Sequence, residues 1–482
     1  MTEAGDHVAQ SEARGLLERL SGQPPQDTQI SAIFVGTDTV WKLKRAVRLA
    51  FLDFTTLDSR RRFLQRELEL NGPSAPGLYR DVVPITREAA GLALGGGGEV
   101  VDWVLRMARI PDGDFMLARV RAGLPDAMLD ALGDMVAADH ARRAVVRDGD
   151  AAHPENNATG NARAALDAGF APDVVAAWLD AALLTLGAAA PVLTRRAAGG
   201  FVRRAHGDLH LGNICVWGGK PTPFDALEFD EAMATVDLAY DLAFLLMDLD
   251  CRADRAAANR VMNRYVGRTG DAALVCLLPG FLSRRAMVRA HVTGDAGYLD
   301  AALAYLRPPP GRVVAIGGLP GAGKSTLARR LAPALGAAPG ALVLRSDEIR
   351  KRLHGVAPEQ RLGRNAYTAD ANARVDATLL DAVREAAPHG VIADATFLAP
   401  ALRDAVATCG APFTGIWLDA PLNDLERRIA GRTGDASDAD ARVLQRLAAL
   451  DAGPIGWHRV VADDMALPRC RALLGLPAEP AV

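Results

Sequence analysis

The stretch Val313-Val-Ala-Ile-Gly-Gly318-Leu-Pro-Gly321-Ala-Gly323-Lys324-Ser325-Thr326 decides the fold of the C-terminal part of this 482-residue chain. Its four opening apolar residues read as a short strand buried in a parallel sheet. GxxxxGK[ST] then follows in full from Gly318 to Ser325, and residues 325–335 read as a helix. Strand, glycine loop and helix in that order are the context the motif needs. Glycines let backbone N–H groups converge on phosphate oxygens, and the helix N-terminus adds a favourable dipole. Lys324 is placed to neutralise the β/γ-phosphates and the Ser325 hydroxyl to hold magnesium. Gly318, Gly321, Gly323, Lys324, Ser325 and Thr326 are thus the nucleotide-binding residues expected here, with ATP and Mg2+ as the cofactors.

Two strands further on also end in acids. Ala341-Leu-Val-Leu-Arg-Ser-Asp347-Glu-Ile-Arg350 is a strand running into a helix, and Val391-Ile-Ala-Asp394-Ala-Thr396 is another strand. In a doubly wound sheet such ends face the ligand crevice. Asp347 is expected to accept the proton of an acceptor hydroxyl, and Asp394 to touch the magnesium shell or order the substrate. Leu425-Glu-Arg427-Arg428-Ile-Ala-Gly-Arg432 supplies arginines that could close over a transferring phosphoryl group. Arg427 also suits a solvated helix face.

Working back from the glycine loop, Leu306-Arg-Pro-Pro-Pro-Gly-Arg312 reads as a stiff linker. Before it, residues 30–35 and 39–43 look like a hairpin turning at Gly36-Thr37-Asp38. A helix is expected over 58–70, a flexible hairpin turn at Gly95–Gly98 and a strand over 99–108. From 117 to 305 the pattern is helical, interrupted by a polar loop at 148–160. The other break is His206-Gly-Asp208-Leu-His-Leu-Gly-Asn213, followed by Pro223-Phe-Asp225. An acid and an amide on one tight loop suit a kinase catalytic loop, with Asp208 meeting the hydroxyl and Asn213 holding magnesium. Asp225 stands where a second magnesium ligand is needed.

The C-terminal part resembles the small P-loop kinases: gluconate kinase, the kinase part of polynucleotide kinases, and the predicted kinases grouped with them. GLPGAGKST, LRSDEIRKRL, VIADATF and RRIAGRTGDASDA carry the likeness, which implies Asp347 as base and Arg432 in a mobile lid. HGDLHLGN, FDALEFD and DLAYDLA resemble the aminoglycoside phosphotransferase family. Nearly the whole chain is similar to the group of bifunctional aminoglycoside phosphotransferase/ATP-binding proteins. That resemblance implies that Lys42 pairs the ATP phosphates and is held by Glu67, although Lys44 lies on the same strand face. It also implies a hinge beside adenine at 106–110, an orienting role for His206, and Asp241 as an acid ordering the catalytic loop. No GxGxxG precedes Lys42, which departs from the kinase pattern.

The expected architecture is an α+β protein-kinase-like two-lobed domain over 12–305 (small lobe 12–108, helical lobe 109–305). An α/β P-loop kinase domain with a parallel sheet follows over 311–475. Net charge is −3 for the chain, made of +2 from residue 311 onward and −5 before it. That balance suits small-molecule acceptors; a nucleic-acid acceptor is not favoured. Five scattered cysteines, without a CxxC or Cys/His cluster, suit reduced thiols in a cytoplasm. No run is expected to reach the length of a membrane span, and no membrane partner is expected.

Overall fold

The computed structural model describes residues 3–49, 52–146, 154–431 and 435–478. Their contacts divide the chain into two compact units. One comprises 1–124, 142–152 and 200–241; the other comprises 125–141, 153–199 and 242–482.

The first unit is built on a six-stranded sheet: β1 (Gln26–Asp27), β2 (Ser31–Val35), β3 (Thr39–Lys44), β4 (Tyr79–Glu88), β5 (Gly91–Leu94) and β6 (Glu99–Ala108). The spatial order is β1-β2-β3-β6-β4-β5, with antiparallel pairing throughout. Helix α1 (Glu3–Ser21) contributes Ala13 and Leu17 to a core with Phe34, Leu43, Ile85 and Val104. Helix α2 (Leu57–Asn71) begins at Thr56, whose hydroxyl accepts the Ser59 N–H and so caps the first turn. It buries Leu64 and Glu67.

The glycines at 95–98 do not close a hairpin. They connect β5 to β6, and β4 lies between those two strands in the sheet. Glycine is required at 98, where a Cβ would come within 2.1 Å of the Arg87 carbonyl oxygen, whereas at Gly97 the space is open. The segment 206–213 leads into an antiparallel pair, β7 (Ile214–Trp217) and β8 (Lys220–Pro223).

The second unit holds helices and a parallel sheet. Residues 154–160, expected in a polar loop, form the start of α3 (Pro154–Asp167), while 148–153 lie outside the described residues. Proline in the first turn loses no helical hydrogen bond, so it opens α3 rather than ending it. Helix α4 (Pro172–Ala198) is long and apolar enough, by length and composition, to cross a membrane, with a mean hydropathy of 1.6. This corrects the expectation that no run reaches that length: Asp180 is the only charge between Asp173 and Arg195. One face of α4 is nevertheless packed inside the unit through Val175, Trp178, Ala182 and Leu186, and the Trp178 indole N–H donates to Ser283 Oγ at 2.8 Å. Helices α5 (Arg255–Thr269) and α6 (Leu278–Thr293) follow.

The sheet strands are β9 (Val313–Gly317), β10 (Leu342–Arg345), β11 (Val391–Asp394), β12 (Phe413–Asp419) and β13 (His458–Val461). They lie in the order β10-β11-β9-β12-β13, all parallel. Both faces are covered, so Val313–Ile316 are all fully buried. Strand β10 is an edge, and α5 caps part of it. Asn263 Oδ1 accepts the Val343 N–H at 2.6 Å, and Asn259 Nδ2 donates to the Ala341 carbonyl at 3.0 Å. Edge groups that would otherwise be unpaired are satisfied by side chains.

Candidate active sites

In the second unit, β9 delivers the chain to a loop that only glycine can follow. Gly318, Gly321 and Gly323 have φ of +136°, +84° and +88°. A Cβ on Gly318 would lie 2.6 Å from the Leu418 carbonyl oxygen, and one on Gly321 would lie 2.9 Å from that of Leu425. At Gly323 the space is open, so there the requirement is the left-handed backbone alone. Helix α7 (Lys324–Leu331) starts immediately after Gly323 and ends ahead of Pro333, which cannot supply a helical N–H.

Lys324 Nζ donates to the Leu319 carbonyl at 3.0 Å, folding the ammonium back over the loop. The Ser325 hydroxyl donates to Asp394 Oδ2 at 2.6 Å, bringing together the two groups expected around magnesium. Thr326 is exposed on the first turn of α7.

Across the sheet, Asp347 sits in the first turn of α8 (Ser346–Leu353), which β10 feeds directly. Burial raises its carboxyl above the usual range and nearby Asp394 adds to this. Arg345, Lys324 and a hydrogen bond from Ser437 oppose them. Arg345, which the sequence reading left without a role, organises the acids. It meets Glu348 at 2.8 Å, Asp435 at 2.6 Å and Asp394 at 3.5 Å. Its position directly before Ser346-Asp347 was the available signal.

Beyond it, Asp438 accepts from Lys351 Nζ at 2.6 Å, the Tyr367 hydroxyl at 2.6 Å and the Leu362 N–H at 3.0 Å. Asp438 belongs to the 436–440 part of the expected lid, so this part of it is fastened to α8 rather than free. Arg432 lies outside the described residues. Arg427, on α9 (Leu422–Ala430), is exposed and pairs with Asp424 on its own helix at 2.5 Å, the solvated arrangement.

In the first unit, the alternation of β3 puts Lys42 and Lys44 on one face, and both reach Glu67 of α2. Lys42 Nζ donates to Glu67 Oε1 at 2.7 Å and Lys44 Nζ to Glu67 Oε2 at 2.9 Å. Each lysine has a second carboxylate: Asp225 for Lys42 and Glu228 for Lys44, both at 2.5 Å. The choice between the lysines therefore resolves into two positions of one network. Lys44 is wholly buried, whereas Lys42 pairs Asp225, the acid expected to be a magnesium ligand.

Burial would lower the Lys42 ammonium, but the charges of Asp225, Glu67 and Glu228 outweigh it and hold it well above its ordinary range. Burial would raise the Asp225 carboxyl; Lys42, by charge and hydrogen bond, holds it below the usual range. Glu228 was missed, although it sits within the FDALEFD string. Asp225 adopts φ +60°, unusual for a non-glycine residue. Its N–H donates to the Tyr79 hydroxyl at 2.9 Å, and the next N–H, of Ala226, donates to Asn71 Oδ1 at 2.9 Å.

The loop around Asp208 is held from below. Asp241 Oδ1 accepts the Gly207 N–H at 2.8 Å and Asp241 Oδ2 the His206 N–H at 3.3 Å, while His206 Nε2 meets the Phe224 carbonyl at 3.0 Å. Asn213 Nδ2 donates to Asp208 Oδ2 at 2.8 Å, which turns the amide oxygen, the atom a cation would need, the other way. His210 Nε2 stands 3.5 Å from Asp208 Oδ2. Of the expected hinge residues, Arg106 pairs with Asp81 at 2.5 Å. The turn between β1 and β2, at the place of the missing glycine loop, is closed on itself: the Thr28 N–H donates to the Ser31 carbonyl at 2.8 Å.

Among the described residues no group of three or more His, Cys, Asp or Glu side chains could hold a metal ion. Magnesium in phosphoryl-transfer sites is held by one or two protein oxygens plus phosphates and waters, and Ser325 with Asp394 fits that chemistry. Asn213 and Asp225 carry oxygens of the right kind, but the Asn213 amide oxygen is turned away and Asp225 is paired with Lys42.

Fold and sites together define a kinase-like domain followed by a P-loop kinase domain. Residues 313–452 match the family described as AAA domain. Over 141 residues the chain is 34% identical to the cytidylate kinase of Methanopyrus kandleri (28% of this chain, 69% of that enzyme). Through this domain the chain belongs to the P-loop kinases. Along almost its whole length it is similar to an uncharacterized protein of Mycobacterium tuberculosis, 28% identical with 93% of each chain covered. Similar solved structures include a gluconokinase from Sinorhizobium meliloti 1021 (22% identity, TM-score 0.26, 34% of this chain and 92% of that one). Another is the GDP complex of aminoglycoside 2'-phosphotransferase-IIIa (14% identity, TM-score 0.36, 58% of this chain and 89% of that one).

Proposed function

We propose that this chain is a cytoplasmic two-site phosphotransferase that moves the γ-phosphoryl group of ATP to hydroxyls of small polar acceptors. The observation that carries the reading is the Ser325–Asp394 contact of 2.6 Å beside Lys324, with the raised carboxyl of Asp347 on the neighbouring strand end. In the P-loop site Lys324 and the loop N–H groups bind phosphates, and Asp347 takes the acceptor's proton. Ser325 and Asp394 would hold magnesium, which when bound neutralises charge on the β- and γ-phosphates. Arg432 is assigned to the lid that covers the phosphoryl group. An anionic Asp347 repels a phosphate acceptor and suits a neutral hydroxyl. This favours an alcohol over the nucleoside monophosphate that the cytidylate kinase likeness would suggest.

In the kinase-like site Lys42, oriented by Glu67, would bind phosphates, and Asp208 would receive the hydroxyl proton. Asn213 and Asp225 would hold magnesium after the Asn213 amide turns. A second reading, with the kinase-like domain as a regulatory or binding module, is favoured by the direct Lys42–Asp225 pair and the closed Thr28 turn. In that arrangement each partner occupies the other's expected ligand position.

The test is ATP turnover by wild type, Lys324→Ala, Asp208→Asn and the double variant, across sugars, nucleosides, amino alcohols and oligonucleotides. Loss of a different acceptor in each single variant supports two kinases. An Asp208→Asn protein with unchanged turnover throughout leaves the module reading, and unchanged turnover in Lys324→Ala overturns the P-loop assignment.

A further inference from the structure

Helix α4 buries one face through Val175, Trp178, Ala182, Leu186 and Arg196, the last paired with Asp271. The opposite face carries Asp173, Ala177, Asp180, Leu184, Ala188, Pro191 and Arg195, all exposed. These positions recur at steps of three or four, so they form one stripe along the helix. Leu184, at its middle, is 76% exposed, and Leu183 beside it is also exposed. A stripe whose centre is apolar and whose ends carry opposite charges is not the usual solvent-facing pattern of a helix of this length.

The stripe is complementary to itself. Laid antiparallel on a second copy about a two-fold axis through Leu184, position 173 falls opposite 195, 177 opposite 191, and 180 opposite 188. Asp173 of one copy then meets Arg195 of the other, twice by symmetry. Ala177 faces Pro191, and the small Ala188 leaves room for Asp180 to reach water. A C2 interface requires this kind of self-matching patch. Antiparallel helices also place opposite dipole ends together. A membrane is the poorer occupant, because Asp180 in the middle of the helix would cost about 2.5–3.5 kcal/mol in a bilayer centre.

We propose that α4 is the self-association surface of this protein, pairing two copies antiparallel through the Leu184 stripe. From Asp173 to Arg195 the helix runs about 33 Å, and a strip about 10 Å wide amounts to roughly 330 Å² per partner. Stable interfaces bury about 800 Å² per partner, so this pair is a weak, transient one.

Sedimentation velocity of the full chain over about 1–200 μM is expected to show a monomer–dimer equilibrium. Leu184→Glu is expected to weaken it at least tenfold. Asp173→Arg and Arg195→Asp should each weaken it, and the two together should restore it. Leu184→Cys should form an interchain disulfide under mild oxidation, since the axis puts the same residue on both sides. A chain that stays monomeric throughout the range overturns the proposal, as does a dimer indifferent to Leu184→Glu. Flotation of the monomer with anionic vesicles, abolished by Leu184→Glu, also overturns it in favour of a lipid surface.

Discussion

Replacing Lys44 by methionine tests the charge balance of the kinase-like site. The network contains two lysines, Lys42 and Lys44, and three carboxylates, Glu67, Asp225 and Glu228. Lys44 and Glu67 have no exposed side-chain surface and Glu228 only 4%. With Lys44 removed, one ammonium faces three carboxylates and Glu228 loses its cation. Breaking a buried pair in this way costs about 3–5 kcal/mol. Glu228→Gln instead leaves two cations and two anions with the shape kept, and should cost about 1 kcal/mol.

The assay is thermal unfolding of the full chain, with intrinsic fluorescence read across both transitions. For a unit of this size about 2–4 °C is lost per kcal/mol, so Lys44→Met should lower its transition by roughly 6–20 °C and Glu228→Gln by a few degrees. Adding Glu228→Gln to Lys44→Met should recover part of the loss. A Lys44→Met transition within about 2 °C of wild type, or a Glu228→Gln loss as large as that of Lys44→Met, refutes the reasoning.

Four further outcomes follow from the second unit. Asp347→Asn should lower kcat by about 10²–10⁴-fold with nucleotide affinity unchanged, checked by turnover and calorimetric titration. Because the Asp347 carboxyl is raised, the acid limb of the wild-type rate profile should lie above the ordinary aspartate value and rise with pH as the base ionises. Asn263→Leu leaves the Val343 N–H of β10 without its partner, a cost of about 1–3 kcal/mol readable in the unfolding transition. Burial opposes ionisation of Asp438, but hydrogen bonds from Lys351, Tyr367 and Leu362 outweigh it and lower its carboxyl. Its contribution is therefore full above the unfolded aspartate value and lost as pH falls through the lowered folded one. Asp438→Asn should flatten stability against pH only in that acid window.

The sequence by itself determined whatever depends on local backbone chemistry. Glycines at 318, 321 and 323, followed by Lys-Ser, specify a loop and helix start that few other chains could form. Alternation of apolar residues located β2, β3 and β6, and the run at 313–316 located β9. The strings around Asp208 and Asp347 pointed to two candidate sites because their close spacing is itself the signal.

Only the tertiary structure decided matters that depend on distant segments. The pairing of β4 with β6 turned a glycine run that reads as a hairpin into a crossover, since strand order is set by packing and not by the turn residues. Glu228 became the partner of Lys44, and Arg345 the hub of three carboxylates, only when separate elements met. Asn259 and Asn263 look like ordinary helix residues until the edge of β10 is laid against them. Hydrophobic period and turn chemistry report on neighbours a few residues away. The partner of a buried charge or an unpaired N–H is chosen by the whole fold, through the cost of leaving either one unsatisfied.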